Sequence, residues 1–138
     1  MDQLDISVIV LTFNEEIHIR RCVENAFRVA EEVFVIDCFS TDKTVEIAKE
    51  CGATVLQHEY INQAQQFQWA LENCPIKTAW TLRMDADEYL TDELIKEMGK
   101  TLPSLPEGVT GCYLPLRVAF MGKVLKHGLR HQVQILRL

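Results

Sequence analysis

The chain has 138 residues, of which 48% are hydrophobic and 25% are charged, which suffices for one globular domain with an ordinary core. The longest apolar runs, such as residues 6–11, are far shorter than the roughly 20 residues that cross a bilayer, and no secretory signal is recognisable. Five cysteines without a C-x-x-C spacing predict reduced core thiols without structural zinc. The composition therefore predicts a cytoplasmic protein.

Charge is distributed unevenly along the chain. Residues 1–107 contain 20 acidic and 9 basic residues, whereas residues 108–138 contain 5 basic residues and no acid. A basic segment beside an acidic one suits an anionic substrate, a phosphate group or an acidic membrane surface. It lacks the dense Lys and Arg clustering of a nucleic-acid-binding face, so no nucleic acid partner is predicted. The prolines and glycine of residues 102–108 coincide with the charge shift and predict a boundary between two parts, 1–107 and 108–138.

Strands and helices alternate over the first hundred residues. The apolar run 6–11 is typical of a parallel strand that is covered on both faces, and apolar residues at helical spacing follow it up to residue 30. Further strands are predicted at Glu32–Asp37, Thr54–Gln57 and 78–84, and further helices within 40–52, 64–74 and 91–98. Ser40, Asp42 and Thr91 are predicted as helix caps. The last eight residues, 131–138, have the pattern of a strand.

Strands that are joined by single helices predict βαβ units, and hence a mostly parallel α/β sheet with helices on both faces. In such sheets, ligands bind beyond the carboxyl ends of the strands. Polar clusters follow three predicted strands: T-F-N-E-E at 12–16, D-C-F-S-T-D at 37–42 and D-A-D-E at 85–88. Because the carboxyl ends of parallel strands meet at one edge, we expect the three clusters to form one binding site.

Two explanations compete for the acids around D-A-D-E. Acids near a helix start stabilise its positive end by about 0.3 to 1 kcal/mol each, which accounts for Asp92 and Glu93. Asp85 and Asp87 precede that helix, at a strand end where extended backbone would direct both carboxylates to one side. Paired carboxylates suit Mg²⁺ or Mn²⁺, whose remaining ligands are water and substrate phosphates. The pattern favours a metal-diphosphate site over helix-end electrostatics alone.

Asp37 is a second carboxylate at a strand end. An acid there can accept hydrogen bonds from a nucleoside, and the alternative is a turn former for the F-S-T-D that follows. Its place at a strand end predicts that Asp37→Ala leaves the fold intact. The chain has neither G-x-G-x-x-G after the first strand nor G-x-x-x-x-G-K-[ST], so no Rossmann cofactor or P-loop nucleotide is indicated. A diphosphate that is held by a metal is consistent with both absences.

The combination of T-F-N-E, D-x-x-S-T-D-x-T and D-A-D-E, in this order and spacing, resembles the inverting family 2 glycosyltransferases of GT-A fold. The resemblance spans nearly the whole chain and is closest to the branch that builds lipopolysaccharide cores and surface polysaccharides. It implies transfer of a sugar from a nucleotide-diphosphate sugar, typically a UDP-sugar, to a glycan or lipid-linked acceptor. It also implies Mn²⁺ or Mg²⁺ as cofactor, and work in the cytoplasm or peripherally at the inner face of the membrane.

The resemblance assigns roles to individual residues. Those implied to bind the nucleotide are Thr12, Phe13, Glu15, Asp37, Gln66 and Asp85. Phe13 would use its ring face, and Asp37 would accept hydrogen bonds from the base. Asp85 and Asp87 match the D-x-D pair that would hold the metal, with Asp87 as the more direct ligand and Asp85 nearer the ribose. The metal would stabilise the leaving nucleoside diphosphate.

Two segments differ from the family pattern or leave alternatives open. Relatives often have an arginine that reaches the diphosphate from the helix before the fourth strand, whereas the chain has a glutamine-rich stretch there. Gln66 would supply a neutral contact, or these glutamines form an exposed face without a ligand. His127 corresponds to a segment that approaches the diphosphate, and Arg130 is a candidate phosphate neighbour by charge. The alternative for His127 and His131 is a solvent-facing or structural role.

The catalytic residue is not assigned. An inverting transferase needs a carboxylate that deprotonates the acceptor hydroxyl, and this family usually places it well after D-x-D, but no acid follows Glu107. Either 1–107 is the nucleotide-sugar-binding part of a longer protein and 108–138 begins its acceptor side, or the chain is catalytically incomplete. Two other classes stay open: a noncatalytic nucleotide-sugar binding module, and a nucleotidyltransferase-like enzyme, whose usual glycine- and lysine-rich first loop is absent.

Overall fold

The computed structural model describes residues 6–78, 80–101, 111–117, 119–120, 123–124 and 130–137, with side chains up to residue 100. Strands and helices alternate up to the fourth helix, and strands follow it. In chain order, the described elements are β1 (Ile6–Thr12), α1 (Ile19–Ala26), β2 (Glu32–Asp37), α2 (Thr44–Glu50), β3 (Thr54–Gln57), α3 (Gln63–Asn73), β4 (Trp80–Asp85), α4 (Asp92–Thr101), β5 (Gly111–Arg117), β6 (Ala119–Phe120), β7 (Lys123–Val124) and β8 (Arg130–Arg137).

Six strands form one sheet in the order β3-β2-β1-β4-β8-β5. The strands from β3 to β4 in this order are parallel, while β8 is antiparallel to both β4 and β5. In the register of the sheet, Thr12 lies opposite Asp37, and Leu11 lies opposite Asp85. The polar clusters that follow β1, β2 and β4 therefore begin at the same edge of the sheet, as expected from the βαβ pattern.

Helices cover both faces of the sheet. Successive residues of a strand point to opposite faces, so each face has its own buried cluster. In β1, Val8 and Val10 belong to one buried cluster, and Ile9 belongs to another. The first cluster includes the inward residues of α1, α2 and α4, and the second includes Ala70 of α3. Burying a valine or isoleucine side chain contributes about 1.5 to 3 kcal/mol. The three helices on one face and α3 on the other confirm the predicted α/β layers.

The helix starts agree only partly with the predicted caps. Thr91 caps α4 as predicted, since its Oγ1 accepts a hydrogen bond from the Leu94 N–H at 3.2 Å. The prediction for Ser40 is wrong, because α2 begins at Thr44 and the Ser40 side chain bonds elsewhere. Asp42 lies just before the cap position, and its carboxylate accepts from the Thr44 N–H at 2.9 Å.

The cysteines with described side chains are free thiols. Cys22 and Cys74 are buried, as predicted, whereas Cys38 and Cys51 are partly exposed. Burial raises the pKa of the Cys22 thiol to about 12 and that of the Cys74 thiol to about 11. Both therefore stay protonated and pack as small apolar residues.

The part of the chain after residue 107 adds strands to the same sheet, since β8 pairs with β4 and β5 pairs with β8. The boundary predicted at 102–108 lies outside the described residues, so the division into 1–107 and 108–138 stays a prediction. Among the described residues, no helix is both long enough and apolar enough to cross a membrane.

Candidate functional site

A cavity of about 580 Å³ opens at the carboxyl ends of the parallel strands. Its volume lies within the range of small-molecule sites. Residues from the ends of β1, β2 and β4, from the β3–α3 loop and from α3 line it: Leu11, Thr12, Phe13, Glu15, Cys38, Tyr60, Gln63, Gln66, Asp85, Ala86 and Asp87. Most of the residues that the sequence predicts for nucleotide and metal binding are therefore brought together, at the edge where the βαβ pattern places a ligand.

Three predicted site residues need separate description. Asp37 is fully buried and is not among the described residues that line the cavity. His127 lies outside the described residues, and the backbone of Arg130 begins β8 while its side chain is not described. Their predicted roles toward the nucleotide and the diphosphate stay predictions.

Asp37 holds the turn that follows β2. Its carboxylate, which is fully buried, accepts hydrogen bonds from the N–H of Ser40 at 2.8 Å and from the Ser40 hydroxyl at 2.5 Å. The Ser40 oxygen in turn accepts from the N–H of Asn14 at 2.8 Å. The turn-former role is thus present in the structure. The expectation that Asp37→Ala leaves the fold intact is revised. We expect this substitution to lower stability, because the Ser40 N–H and hydroxyl would lose their buried acceptor.

The loop after β1 is bonded to the loop after β2 along its length. Asn14 has a φ of +50°, a left-handed conformation that asparagine tolerates better than most residues. Further bonds between the two segments include those from Thr41 N–H to Asn14 Oδ1 (2.8 Å), Glu15 N–H to Thr44 Oγ1 (2.9 Å), Lys43 N–H to the Glu16 carboxylate (3.2 Å) and Glu16 N–H to the Asp42 carboxylate (3.3 Å). The S-T-D-K-T segment therefore serves as a scaffold for T-F-N-E-E.

Glu15 lies between the two sides of the cavity. Its N–H is bonded to Thr44, and its carboxylate contacts His18 Nδ1 at 2.9 Å. The negative charge of Glu15 is one of the causes that raise the pKa of Asp85. Glu15 thus belongs structurally to the β1 loop and electrostatically to the acids of β4.

Thr12 has a hydroxyl group that needs a partner. The Thr12 Oγ1 atom is buried, lines the cavity and has no hydrogen-bond partner among the described residues. A buried hydroxyl without a partner costs free energy, so such groups in native proteins mark water or ligand positions. The contact between Thr12 and the nucleotide stays a prediction, for which this hydroxyl is available.

Two aromatic rings flank the cavity. Phe13 is 54% exposed and Tyr60 is 50% exposed, although both are large apolar side chains, and both line the cavity. Flat aromatic faces suit the stacking of a planar ligand such as a nucleobase. The sequence reasoning missed Tyr60. Its place three residues after the end of β3, in a polar loop at the carboxyl edge, is the signal that could have identified it.

Gln66 is buried, unlike its neighbours Gln63, Gln65 and Gln68, which are exposed. Its Oε1 atom lies 2.7 Å from His58 Nδ1, and the His58 ring stacks on Trp69 with 4.2 Å between ring centroids. Gln66 is therefore not part of an exposed face, whereas Gln63, Gln65 and Gln68 are exposed, and Gln63 also lines the cavity. Gln66 lines the cavity as a neutral polar group that His58 orients.

The D-A-D-E segment forms a turn. β4 ends at Asp85, and the Glu88 N–H donates to the Asp85 carbonyl oxygen at 3.0 Å. The expectation of an extended backbone through Asp87 is wrong, because the strand stops two residues earlier. The turn nevertheless places both Asp85 and Asp87 against the cavity. The Glu88 carboxylate closes the turn by accepting from the Asp85 N–H at 2.7 Å.

The acids of this turn repel one another. Burial raises the pKa of the Asp85 carboxyl, Asp87 and Glu15 raise it further, and only Arg83 opposes them. Burial likewise raises the pKa of Glu88, with Asp85 and Asp87 adding to it, while Arg83 and the hydrogen bond from the Asp85 N–H lower it. A bound cation would relieve this repulsion.

The donor set fits one kind of metal ion. Among the described side chains, no group of three or more His, Cys, Asp or Glu is arranged to hold an ion. A complete protein cage is therefore absent from that part of the chain. Two carboxylates at a cavity fit Mg²⁺ or Mn²⁺, which are commonly bound by one or two carboxylates together with substrate phosphates and water.

Residues 7–118, more than half of the chain, match the model of the family described as "Glycosyl transferase family 2". The chain belongs to glycosyl transferase family 2. The predicted family is thereby confirmed.

The curated relatives that this chain matches are longer than the chain. A protein named "Uncharacterized glycosyltransferase" from Rickettsia bellii is 40% identical over 93 residues, which are 67% of this chain and 31% of the relative. The "Lipopolysaccharide core biosynthesis glycosyltransferase LpsC" of Rhizobium meliloti is 28% identical over 125 residues, 87% of this chain and 45% of the relative. The chain thus spans less than half the length of these relatives.

Solved structures identify the fold of this family 2 chain. Glucosyl-3-phosphoglycerate synthase from Mycobacterium tuberculosis, crystallised with Mn²⁺, UDP and glucosyl-3-phosphoglycerate, is similar with a TM-score of 0.60 and 20% identity, over 77% of this chain and 42% of that one. Mannosyl-3-phosphoglycerate synthase from Rubrobacter xylanophilus gives 0.62 and 18%, over 78% of this chain and 38% of that one. The predicted GT-A fold is confirmed.

Proposed function

We propose that the chain is the nucleotide-sugar-binding part of an inverting, metal-dependent glycosyltransferase that uses a UDP-sugar. The observation that carries this proposal is the joint placement of Asp85 and Asp87 with Thr12 and Phe13 around one cavity. Carboxylates for a metal-bound diphosphate and an aromatic face for a base then lie in the same site. Membership in family 2 supports sugar transfer as the reaction.

The nucleoside is proposed to bind between the loops that follow β1 and β3. Phe13 and Tyr60 offer aromatic faces there, and the Thr12 hydroxyl offers a hydrogen bond that the described residues do not use. Asp37 is proposed to accept a hydrogen bond from the base while it keeps its bonds to Ser40, because a carboxylate has about four acceptor positions. Uracil as the base is supported by the Mycobacterium tuberculosis synthase, which was crystallised with UDP.

The diphosphate is proposed to bind beside the turn of D-A-D-E. When bound there, Mn²⁺ or Mg²⁺ supplies positive charge against the charge that develops on the leaving diphosphate. Asp87, which is exposed at the cavity, would be the direct metal ligand, and Asp85, which is half-buried, would lie nearer the ribose. Gln66 would contribute a neutral contact. His127 and Arg130 remain proposed neighbours of the diphosphate.

The acceptor is proposed to be a glycan or a lipid-linked sugar of a surface polysaccharide or lipopolysaccharide, handled in the cytoplasm or at the inner membrane face. Similarity to LpsC supports this class. The carboxylate that would deprotonate the acceptor is not assigned to any residue, because the sequence contains no acid after Glu107. Residues 108–138 would begin the acceptor side.

One alternative function has an observation in its favour. The absence of an acid after Glu107 also suits a noncatalytic module that binds nucleotide-sugars. An assay of UDP-sugar hydrolysis by a purified chain that binds UDP tests whether this chain has transferase chemistry of its own. Turnover supports the transferase, and binding without turnover supports the module or an acceptor side that is incomplete.

Calorimetry of UDP binding with and without Mn²⁺ tests the proposal. We expect Mn²⁺ to strengthen UDP binding to the parent chain, and Asp87→Asn to abolish this gain with little effect on metal-free binding. Glu93→Gln is the control, since it removes the same charge from an exposed residue in the first turn of α4. A Mn²⁺ gain that survives Asp87→Asn would remove Asp87 as the metal ligand.

A further inference from the structure

One side of α1 contacts the segment that contains the acidic turn. Arg21, Cys22 and Asn25 lie on this side of α1, at positions i, i+1 and i+4, and Arg28 follows just after the helix ends at Ala26. Their partners are the carbonyl of Asp87 for Arg21, the carbonyl of Asp85 for Cys22, the peptide of Leu90 for Asn25 and the carboxylate of Asp92 for Arg28. None of these four was singled out from the sequence as a site residue.

Asn25 forms the most complete of these contacts. Its Nδ2 group donates to the Leu90 carbonyl oxygen at 2.8 Å, and its Oδ1 atom accepts from the Leu90 N–H at 2.5 Å. The N–H and the C=O of Leu90, which belong to two successive peptide units, are thus both satisfied by one side chain, because an amide carries both a donor and an acceptor. Leu90 itself is buried in the core, so its backbone has little access to water.

Arg21 contacts the same loop one helical turn earlier. Its Nη2 group donates to the backbone carbonyl of Asp87 at 3.3 Å, and its guanidinium lies 4.9 Å from the centre of the Tyr89 ring. The contact uses the carbonyl oxygen of Asp87 and not its carboxylate. The helix therefore restrains the backbone of the turn without occupying the group that is proposed to bind the metal.

We propose that Asn25 is a positioning residue that holds the acidic turn in the shape that the metal-diphosphate requires, an inference that rests on the proposed function. Asp85, Asp87 and Glu88 place three carboxylates within four residues, and such like charges repel one another when no cation is present. The two hydrogen bonds from Asn25 to the Leu90 backbone limit how far the turn can open under this repulsion. Asn25 touches neither the cavity nor the proposed ligand.

The test compares Asn25→Ala with Arg28→Ala. Arg28 lies three residues after Asn25, just beyond the end of α1, and pairs at 2.6 Å with the exposed carboxylate of Asp92 beyond the turn, so its removal is the matched control. In the absence of any ligand, we expect Asn25→Ala to increase hydrogen exchange at the amides of residues 88 and 90 by about thirtyfold, the effect of losing two ordinary hydrogen bonds. Exchange in β1 should not change, and Arg28→Ala should leave residues 88 and 90 as in the parent.

The second readout is the Mn²⁺ concentration that half-saturates the gain in UDP affinity. We expect it to rise about tenfold in Asn25→Ala with metal-free UDP affinity unchanged, and to stay at the parent value in Arg28→Ala. A loss of general stability alone would weaken metal-free binding as well. If the alanine variant does not fold, Asn25→Ser, which keeps one hydrogen-bonding group, should show the same changes to a smaller degree.

The outcomes separate this inference from the proposed function. A parent chain without any Mn²⁺ gain overturns the proposed function, and the positioning role with it. A parent chain with the gain, together with folded Asn25 variants that keep the parent's Mn²⁺ requirement or the parent's exchange at residue 90, overturns the positioning role alone.

Discussion

The loop after β1 and the turn after β4 line the same cavity but are held in different ways. The β1 loop is bonded to the β2 loop through backbone N–H groups of Asn14, Glu15 and Glu16, each of which donates to a side chain of residues 40–44. The β4 turn is held by its own short hydrogen bonds and, from one side, by α1. The first region is therefore a cross-linked scaffold, whereas the second keeps its two cavity-facing carboxylates available.

Because of this difference, we expect substitutions on the two sides of the cavity to affect the stability of the fold and the binding of the ligand to different extents. On the β1 side, the residues that shape the site, Asp37 and Thr44, are fully buried and bonded. On the β4 side, Asp87 is exposed and Asp85 is half-buried among repelling charges. Substitutions on the first side should therefore lower stability together with nucleotide binding, while substitutions on the second should affect ligand binding almost alone.

The largest effect on stability is expected from Asp37→Ala. It leaves the Ser40 N–H and hydroxyl without their buried acceptor and loosens Asn14, which should lower the free energy of unfolding by about 2 to 4 kcal/mol. Urea unfolding of the purified chain measures this. Asp42→Ala, at a more exposed carboxylate of the same loop, should cost less. Equal stability of Asp37→Ala and the parent would show that the two loops are not mechanically coupled.

Thr44→Val should give an intermediate loss. Valine has nearly the same shape as threonine but cannot accept the hydrogen bond from the Glu15 N–H, so we expect about 1 to 2 kcal/mol lower stability and weaker UDP binding. Thr41→Val is the matched control. The Thr41 hydroxyl is exposed and 3.4 Å from Asn14, while the firmer bond uses its backbone N–H, so a change within about 0.5 kcal/mol is expected. Similar losses in both variants would argue against a special role for Thr44.

The general architecture could be predicted because it depends on local patterns. The bounds of β2 and β3 agree with the predicted ranges, since continuous apolar runs between polar turns specify buried strands. The rule that parallel strands end at one edge then brought Thr12 and Asp85 to the same cavity. Both inferences need only the order of apolar and polar residues along the chain.

The parts that could not be predicted depend on contacts between distant residues. Ser40 was expected to cap α2 and instead links Asp37 to Asn14, which is 26 positions away. Asn25 and Leu90 are 65 positions apart. A polar residue near a predicted helix start has several candidate partners, and tertiary structure decides among them. The turn at residues 86–87 was missed because a strand end gives no periodic signal.

Tyr60→Ala should separate binding from stability on the nucleoside side. Its ring is half exposed and lines the cavity, outside the hydrogen bonds that link the β1 and β2 loops. Loss of an aromatic contact should weaken UDP binding by about 1 kcal/mol, while the free energy of unfolding changes by less than about 0.5 kcal/mol. Calorimetry and urea unfolding measure the two quantities. Tyr89→Ala, at another half-exposed tyrosine outside the cavity, is the control and should bind UDP as the parent does.

The smallest effect, and the one of opposite sign, is expected from Asp87→Asn in the absence of metal. The charge of Asp87 is among the causes that raise the pKa of both Asp85 and Glu88, so ionised Asp87 opposes folding at neutral pH. Because Asp87 is exposed, solvent screens this repulsion, and neutralisation should raise the free energy of unfolding by less than about 1 kcal/mol.

The same substitution should remove the gain in UDP affinity on adding Mn²⁺, so the variant would be slightly more stable and less able to bind. Urea unfolding of the parent, Asp87→Asn and Glu93→Gln at low and high salt measures the stability change. Salt should reduce the difference between Asp87→Asn and the parent, since it screens exposed charges. A clear loss of stability in Asp87→Asn would mean that its carboxylate supports the fold, and the contrast between the two sides of the cavity would then fail.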